Sequence, residues 1–315
     1  MLTIPKGTGN SGKHIVSALL KTGKHTVTVL TRSATHDQLP SGVHIAQVDY
    51  DEPSTLVTAL HGQDALVITL GATAPPDTQT KLFRAAADAG VSYVFPNEWS
   101  PDCDHAGLIA DAPIFAGKRP AREEIVSLGK SAYIAVCTGF WYEMMLPLGP
   151  AAFGFDIAKR SVTFYDEGET RISVSTWPQV GRAVAAILSL PIEDQGEGAC
   201  LEGIRNRLVY VNSFTVNQKE MLESLVRVTK TKQEDWKIET QDVKERFVEG
   251  NQLAKAGNRM GFAQAMSARV FYPDGNGDFE TNRGTLNAVL GLPKEDLDEA
   301  TAVAVERAMN GAGWS

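Results

Sequence analysis

Through the first 150 residues, short apolar runs alternate with amphipathic segments, and the alternation is regular enough to assign elements. The apolar runs predict strands over 2–4, 26–30, 44–48, 65–70, 93–96 and 133–137. Helical periodicity between them predicts helices over 12–22, 54–60, 78–89 and 119–128. Runs such as Ala65-Leu66-Val67-Ile68 carry no polar alternate position. Such a strand suits a sheet buried on both faces, so the pattern predicts a parallel sheet with helices on either side.

Beyond Trp141 the pattern loosens. Residues 144–155 are rich in Pro, Gly, Ala and aromatics, and a hairpin-like pattern follows around 162–174. A helix is predicted over 178–190 and a strand over 207–211, and from Ser213 onward helical segments dominate, with Gly275 and Gly277 marking a turn. The predicted organisation is a first domain over 1–150 and a smaller, mainly helical domain over 151–315. Parts of 175–212 are candidates to rejoin the first sheet. There is no internal repeat and no low-complexity linker.

One loop carries chemistry. Gly7-Thr8-Gly9-Asn10-Ser11-Gly12 reads G-x-G-x-x-G and falls between an apolar strand and an amphipathic helix. Glycines there permit a tight turn and let backbone N-H groups approach a pyrophosphate at a helix N-terminus. All six residues are therefore candidate cofactor ligands in a Rossmann-type doubly wound sheet, although a glycine-rich turn without a ligand would share the pattern. Arg32 follows the second predicted strand, where an acidic residue would hold the ribose hydroxyls of NAD. A guanidinium suits a 2′-phosphate, which favours NADP(H). Lys13 reads as a helix-surface residue.

Together, Gly7 to Gly12, the strand end Val29-Leu30-Thr31-Arg32 and the run Phe95-Pro96-Asn97-Glu98-Trp99 resemble the isoflavone-reductase-like and NmrA-like families, which are atypical short-chain dehydrogenases. The likeness continues through Phe115-Ala116-Gly117-Lys118 and Gly139-Phe140-Trp141, and fades near Gly291-Leu292-Pro293. It implies a Rossmann domain with a smaller substrate domain, NADPH as cofactor, and hydride transfer to an aromatic or secondary-metabolite substrate. It also implies a role for Lys118, which matches the family's catalytic lysine in the helix after the Pro-Asn-Glu-Trp motif. The chain departs from the family at Pro5-Lys6, because the family has a glycine where Lys6 stands. Proline cannot donate to a ladder, and a side chain at the loop's first position is expected to crowd the pyrophosphate. A start that differs from the family's and a loop with reduced cofactor affinity are both open accounts of that departure.

Further candidates lie at the carboxyl edge of the predicted fifth and sixth strands, where open parallel sheets bind ligands. Asn97 is a candidate cofactor contact. Glu98, Trp99, Phe140, Trp141 and Tyr142, with Met144 and Met145 nearby, are candidates for the wall of an apolar substrate pocket, although most such residues fill cores. Glu98 could instead orient a lysine or close a turn. No Tyr-x-x-x-Lys pair occurs near the expected site, so a tyrosine-based dehydrogenase mechanism lacks support.

Composition narrows the partners. With 30 basic and 38 acidic residues the net charge is -8, with no long run of one sign, which argues against nucleic acid and polybasic membrane binding. The three cysteines at 103, 137 and 200 fit neither a disulfide framework nor a zinc ribbon, and histidines 14, 25, 36, 44, 61 and 105 lack metal-ligand spacing. No metal is expected. The first residues lack a basic, long-apolar leader, so a cytoplasmic protein acting on an aromatic or apolar small molecule is predicted. Two other roles share these features: a dinucleotide-binding redox sensor with a protein partner, and a non-redox cyclase or dehydratase on the same fold.

Overall fold

A computed structural model describes residues 1–32, 39–71, 73–196 and 198–311. In chain order, its elements begin with β1 (Leu2–Pro5), α1 (Asn10–Thr22), β2 (Val27–Thr31), β3 (Val43–Gln47), α2 (Pro53–Leu60), β4 (Ala65–Val67), α3 (Thr78–Ala89) and β5 (Tyr93–Phe95). Next come α4 (Ala106–Asp111), α5 (Lys118–Ser127), β6 (Ala132–Cys137), β7 (Phe140–Trp141), α6 (Tyr142–Met145), β8 (Phe155–Asp156), β9 (Ser161–Tyr165) and β10 (Ile172–Ser175). The remainder comprises α7 (Trp177–Leu188), β11 (Arg207–Tyr210), β12 (Phe214–Val216), α8 (Gln218–Thr229), β13 (Lys237–Gln241), α9 (Val243–Lys255), α10 (Arg259–Val270), α11 (Phe279–Arg283) and α12 (Leu297–Met309).

Among the described residues, seven strands form one sheet in the order β11-β6-β5-β4-β1-β2-β3. Every neighbouring pair in it is parallel. The chain thus winds outward from β1 to one edge through β2 and β3, then returns to β4 on the other side of β1. The crevice between the β1 and β4 loops is the switch point of such a sheet. Side-chain alternation along each strand divides the apolar runs between two layers. Ala65 and Val67 join Ile15, Val16 and Leu19 of α1 and Val180 and Val184 of α7 on one face. Leu66 and Ile68 join Leu56, Leu82, Phe83 and Ile125 on the other. A third cluster, built around Phe140, Tyr142, Phe153, Phe155, Tyr165 and Phe271, draws mainly on residues beyond β6.

The strand over 207–211 does rejoin the sheet, with Arg207 opposite Ile134 and Tyr210 opposite Cys137. The hairpin expected around 162–174 does not form. β9 pairs with β13 and β8, while β10 pairs with β12 and β7, so the two strands enter different three-stranded sheets. Alternation signals a strand but not its partner, and here the partners come from distant segments. β4 also ends at Val67, short of the expected residue 70. Pro5 occupies the last position of the buried β1, where a missing N-H interrupts the ladder least. Its carbonyl accepts a hydrogen bond from the Thr69 hydroxyl at 2.7 Å.

Helix α7 ties the two halves together. Gly181 stands so close to α1 that a Cβ there would lie 2.5 Å from the carbonyl oxygen of His14. The N-terminus of α7 is held twice: the Thr176 hydroxyl accepts from Gln179 N at 3.1 Å, and the Glu143 carboxylate accepts from Trp177 N at 3.0 Å. Glu143 is 3% exposed. Burial pushes its carboxyl up to about 7, assisted by Glu295 and opposed by hydrogen bonds from the backbone N-H groups of Glu143 itself and of Trp177, and by Arg307.

Two outcomes follow for α7. In an isolated helix Gly→Ala stabilises by about 1 kcal/mol. Gly181→Ala should do the reverse, destabilising by roughly 1–3 kcal/mol in urea unfolding because the added methyl drives α1 and α7 apart. Glu143 gives a pH signature. Its carboxyl has an ordinary value of 4.5 and a folded value of about 7, so the native state holds a proton that the unfolded chain releases between those limits. Stability from this group is fully present below 4.5 and is lost as pH rises through about 7. Glu143→Gln keeps an acceptor for Trp177 N, and its stability relative to wild type should increase across that window; a constant difference would remove Glu143 from the linkage.

Candidate functional site

The β1–α1 turn builds the floor of a wide cleft. A Cβ on Gly7 would fall 2.6 Å from Val29 Cγ2, and one on Gly12 would fall 2.5 Å from the Lys6 carbonyl oxygen. Neither position admits a side chain without moving the sheet or the loop. Gly9 differs, since a Cβ there would stand 3.4 Å from the same oxygen, just within ordinary contact. The protein itself tolerates a methyl at Gly9, so any requirement for glycine there comes from what approaches the loop. Lys6 adopts φ 58°, a left-handed conformation that favours glycine. Its carbonyl accepts from Gly9 N at 3.0 Å, which closes the turn.

Helix α1 then begins with Gly9 as N-cap, with no capping side chain and no acidic residue in its first turn. By contrast, the N-cap side chains of α7, α8, α9, α10 and α12 accept from their own first turns. The free N-H groups of α1, with the positive end of its dipole, therefore suit an anion.

The cleft above this turn has a volume of about 1100 Å³ and is lined by Lys6, Gly7, Thr8, Arg32, Gly71 and Tyr50, among others. Arg32 is exposed at the end of β2. Among the described residues its guanidinium has no carboxylate partner, and only its backbone carbonyl is engaged, by Gln47 Nε2 at 3.4 Å. Residues 33–38, including His36, lie outside the described residues. Lys81 also lines the cleft but is held by Asp51 at 2.7 Å and Asp77 at 2.8 Å. Gly7, Thr8 and Arg32 thus share one cavity. Gly9, Asn10, Ser11 and Gly12 form the turn and the first turn of α1 behind it.

Asn97 and Lys118 meet at the carboxyl end of β5. Lys118 is the first residue of α5, and its half-buried ammonium donates to the Asn97 carbonyl oxygen. Asn97 donates from Nδ2 to the Leu70 carbonyl at 3.1 Å, and its N-H donates to Gln79 Oε1 at 2.8 Å. It is a latch joining the β4 loop, α3 and α5, and Leu70 is part of the cleft wall. Lys118 is therefore two hydrogen bonds from that wall.

The expected aromatic wall is dispersed. Phe140 packs on Phe153 with ring centres 6.2 Å apart, and the fully buried Tyr142 bonds Thr301 Oγ1 at 2.8 Å. Trp141 packs on Trp177, and Trp99 donates from Nε1 to the Ile68 carbonyl at 2.7 Å. None of these four lines the 1100 Å³ cleft, and neither does Glu98. Proximity in sequence to a ligand edge does not distinguish a residue facing the edge from one packed beneath it.

Glu98 is 1% exposed, and neither of its carboxylate oxygens accepts a hydrogen bond among the described residues. Burial raises its carboxyl above the ordinary range, against the attraction of Arg122 and Lys118. Arg122, 3% exposed, stands 4.0 Å from it and grips both oxygens of Asp104, at 2.6 and 3.3 Å. Sequence reading missed Arg122 and Asp104. The available signal was spacing, since Arg122 follows Lys118 by one helical turn on α5. Asp102 was also missed; it accepts from Tyr210 at 3.1 Å and from Arg283 at 2.9 Å, beside a second cavity of about 270 Å³. All three cysteines are free and buried, and burial pushes the Cys103 thiol up to about 12. No described helix is long and apolar enough to cross a membrane.

Residues 1–152 match the NmrA-like family. An oxidoreductase of Aspergillus flavus, aprR, is 28% identical over 298 residues, covering 93% of this chain and 95% of its own. A solved isoflavone reductase superimposes with a TM-score of 0.71 at 19% identity, covering 95% of this chain and 97% of that one. A triphenylmethane reductase of Citrobacter sp., solved as a complex with NADP(H), gives a TM-score of 0.70 at 19% identity, covering 96% and 100%. At such identities the solved structures speak for the fold. Over residues 1–152 the chain is thus similar to the NmrA-like family, over nearly its whole length it is similar to the A. flavus oxidoreductase, and its fold is that of the isoflavone reductase structure.

Proposed function

We propose that this chain is an NADPH-dependent reductase of an aromatic or apolar small molecule. The observation that carries the reading is Arg32: an exposed guanidinium without a carboxylate partner among the described residues, in the same cleft as Gly7 and Thr8. The residues fit a dinucleotide. The uncapped N-terminus of α1 suits its diphosphate, Arg32 suits a 2′-phosphate, and Gly7 and Gly12 leave the loop without side chains where it is most crowded. The bound cofactor would supply a hydride. Similarity to the A. flavus oxidoreductase and to the Citrobacter reductase solved with NADP(H) supports the same assignment.

In this reading Lys118 is the catalytic residue. Its ammonium has three donors, and the one directed at the Asn97 carbonyl fixes the side chain while two remain for an acceptor oxygen. A fixed positive charge there would stabilise the anion that forms as the acceptor is reduced, and could pass a proton to it. Asn97 would couple this position to the cleft through Leu70. The C-terminal part, residues 151–315 without the strand that joins the sheet, would shape the substrate pocket.

Two measurements test the assignment. Arg32→Ala should weaken NADPH binding by roughly tenfold or more, since a charge-assisted contact is lost, while NADH binding changes little. Equal losses for the two would remove the 2′-phosphate from the argument. Lys118→Ala should lower turnover by about a hundredfold with cofactor affinity nearly unchanged. Unaltered turnover on an accepted aromatic substrate would place the chemistry elsewhere.

A further inference from the structure

Lys6 stands where the resembled family has glycine, and its side chain does not turn away from the cleft. The stem runs along the loop, so that a Cβ on Gly9 would lie 3.8 Å from both Cδ and Cε, and Nζ ends 2.7 Å from where a Cβ on Gly71 would stand. Gly71 belongs to the loop after β4. The ammonium therefore spans the crevice between the β1 and β4 loops, at the switch point of the sheet and beside the uncapped N-terminus of α1. It is exposed, it lines the 1100 Å³ cleft, and it forms no hydrogen bond or ion pair among the described residues. Its backbone holds φ 58°, which a glycine would adopt without strain. The folded chain thus keeps a strained residue whose charge has no partner among the described residues.

We propose that Lys6 is a diphosphate clamp, adding a mobile cation where a glycine loop otherwise relies on backbone N-H groups. The proposal rests on the dinucleotide reading of the cleft. It also divides the labour between two cations: Lys6, inside the phosphate loop, serves the diphosphate common to both nicotinamide cofactors, whereas Arg32, beyond β2, serves the 2′-phosphate. The crowding expected from a side chain at the loop's first position is avoided because a four-carbon stem can lift its ammonium onto the phosphates.

The test is calorimetric titration of the full chain with NADPH and with NADH, for wild type, Lys6→Met and Lys6→Gly, at low and high sodium chloride. Lys6→Met keeps the stem and the backbone strain but removes the charge. It should weaken both cofactors by a similar factor of about ten, and its affinity should depend less on salt than that of wild type. Lys6→Gly should show the same loss of affinity with a melting temperature equal to or above that of wild type, which separates the clamp from any unfolding. Variants that bind both cofactors as tightly as wild type, or more tightly, would overturn the clamp. A loss confined to NADPH would overturn it too, by moving Lys6 to the 2′-phosphate. If wild type binds neither dinucleotide, the reading of the cleft fails and the clamp with it; wild-type binding with unaffected variants sinks the clamp alone.

Discussion

There is no room for a side chain between the Lys6 carbonyl and the start of α1. Gly12 lies so close to that oxygen that a Cβ would stand 2.5 Å away, and Gly7 is pressed as tightly against Val29 of β2. This crowding sets the direction in which α1 leaves the sheet. It leaves the first N-H groups of the helix facing the crevice beside β4, and it lays Ile15, Val16 and Leu19 on the sheet. The same helix then receives α7 through Gly181. The floor of the cleft and the seam between the two halves therefore depend on one tight turn, with the rest of the cleft wall supplied by loops at the carboxyl ends of β2 and β4.

Charge is distributed unevenly around that turn. The cations facing the cleft without carboxylate partners among the described residues, Lys6 and Arg32, are exposed, whereas Lys81 is held by two aspartates. At the end of β5 the arrangement is inverted. Glu98 and Arg122 are almost fully buried, and Arg122 is tied to Asp104. Removing one member of a buried charged group leaves the others unpaired, so such groups act as rigid supports more readily than as exchangeable ligands. This contrast separates cations available to an anionic ligand from charges that hold the β5 edge in place, and Lys118 sits at the boundary between them.

The strands and helices of the first half were legible because burial on both faces leaves a continuous apolar signature, and the helix over 78–89 agrees to the residue. The tight turn between β1 and α1 was legible because close approach at Gly7 and Gly12 excludes any side chain, and the position of Arg32 because it follows directly on β2. Other features depend on contacts between distant segments. Alternation over 162–174 marked two strands but could not name β13 and β12 as their partners. The aromatic residues at 140–142 looked like a wall because they follow a ligand edge, yet Tyr142 is packed against Thr301, far along the chain.

Lys6 shows the division most clearly. By itself the sequence determined that a lysine stands at the head of the G-x-G-x-x-G turn, where the resembled family has glycine, and the expectation drawn from it was crowding. Only the tertiary structure decided where the ammonium goes, because the crevice it spans exists only once β4 has docked beside β1 and brought Gly71 opposite the loop. Local pattern specifies which backbone shapes and buried faces a segment can adopt. The destination of a long, flexible side chain is set by whatever the fold places within its reach.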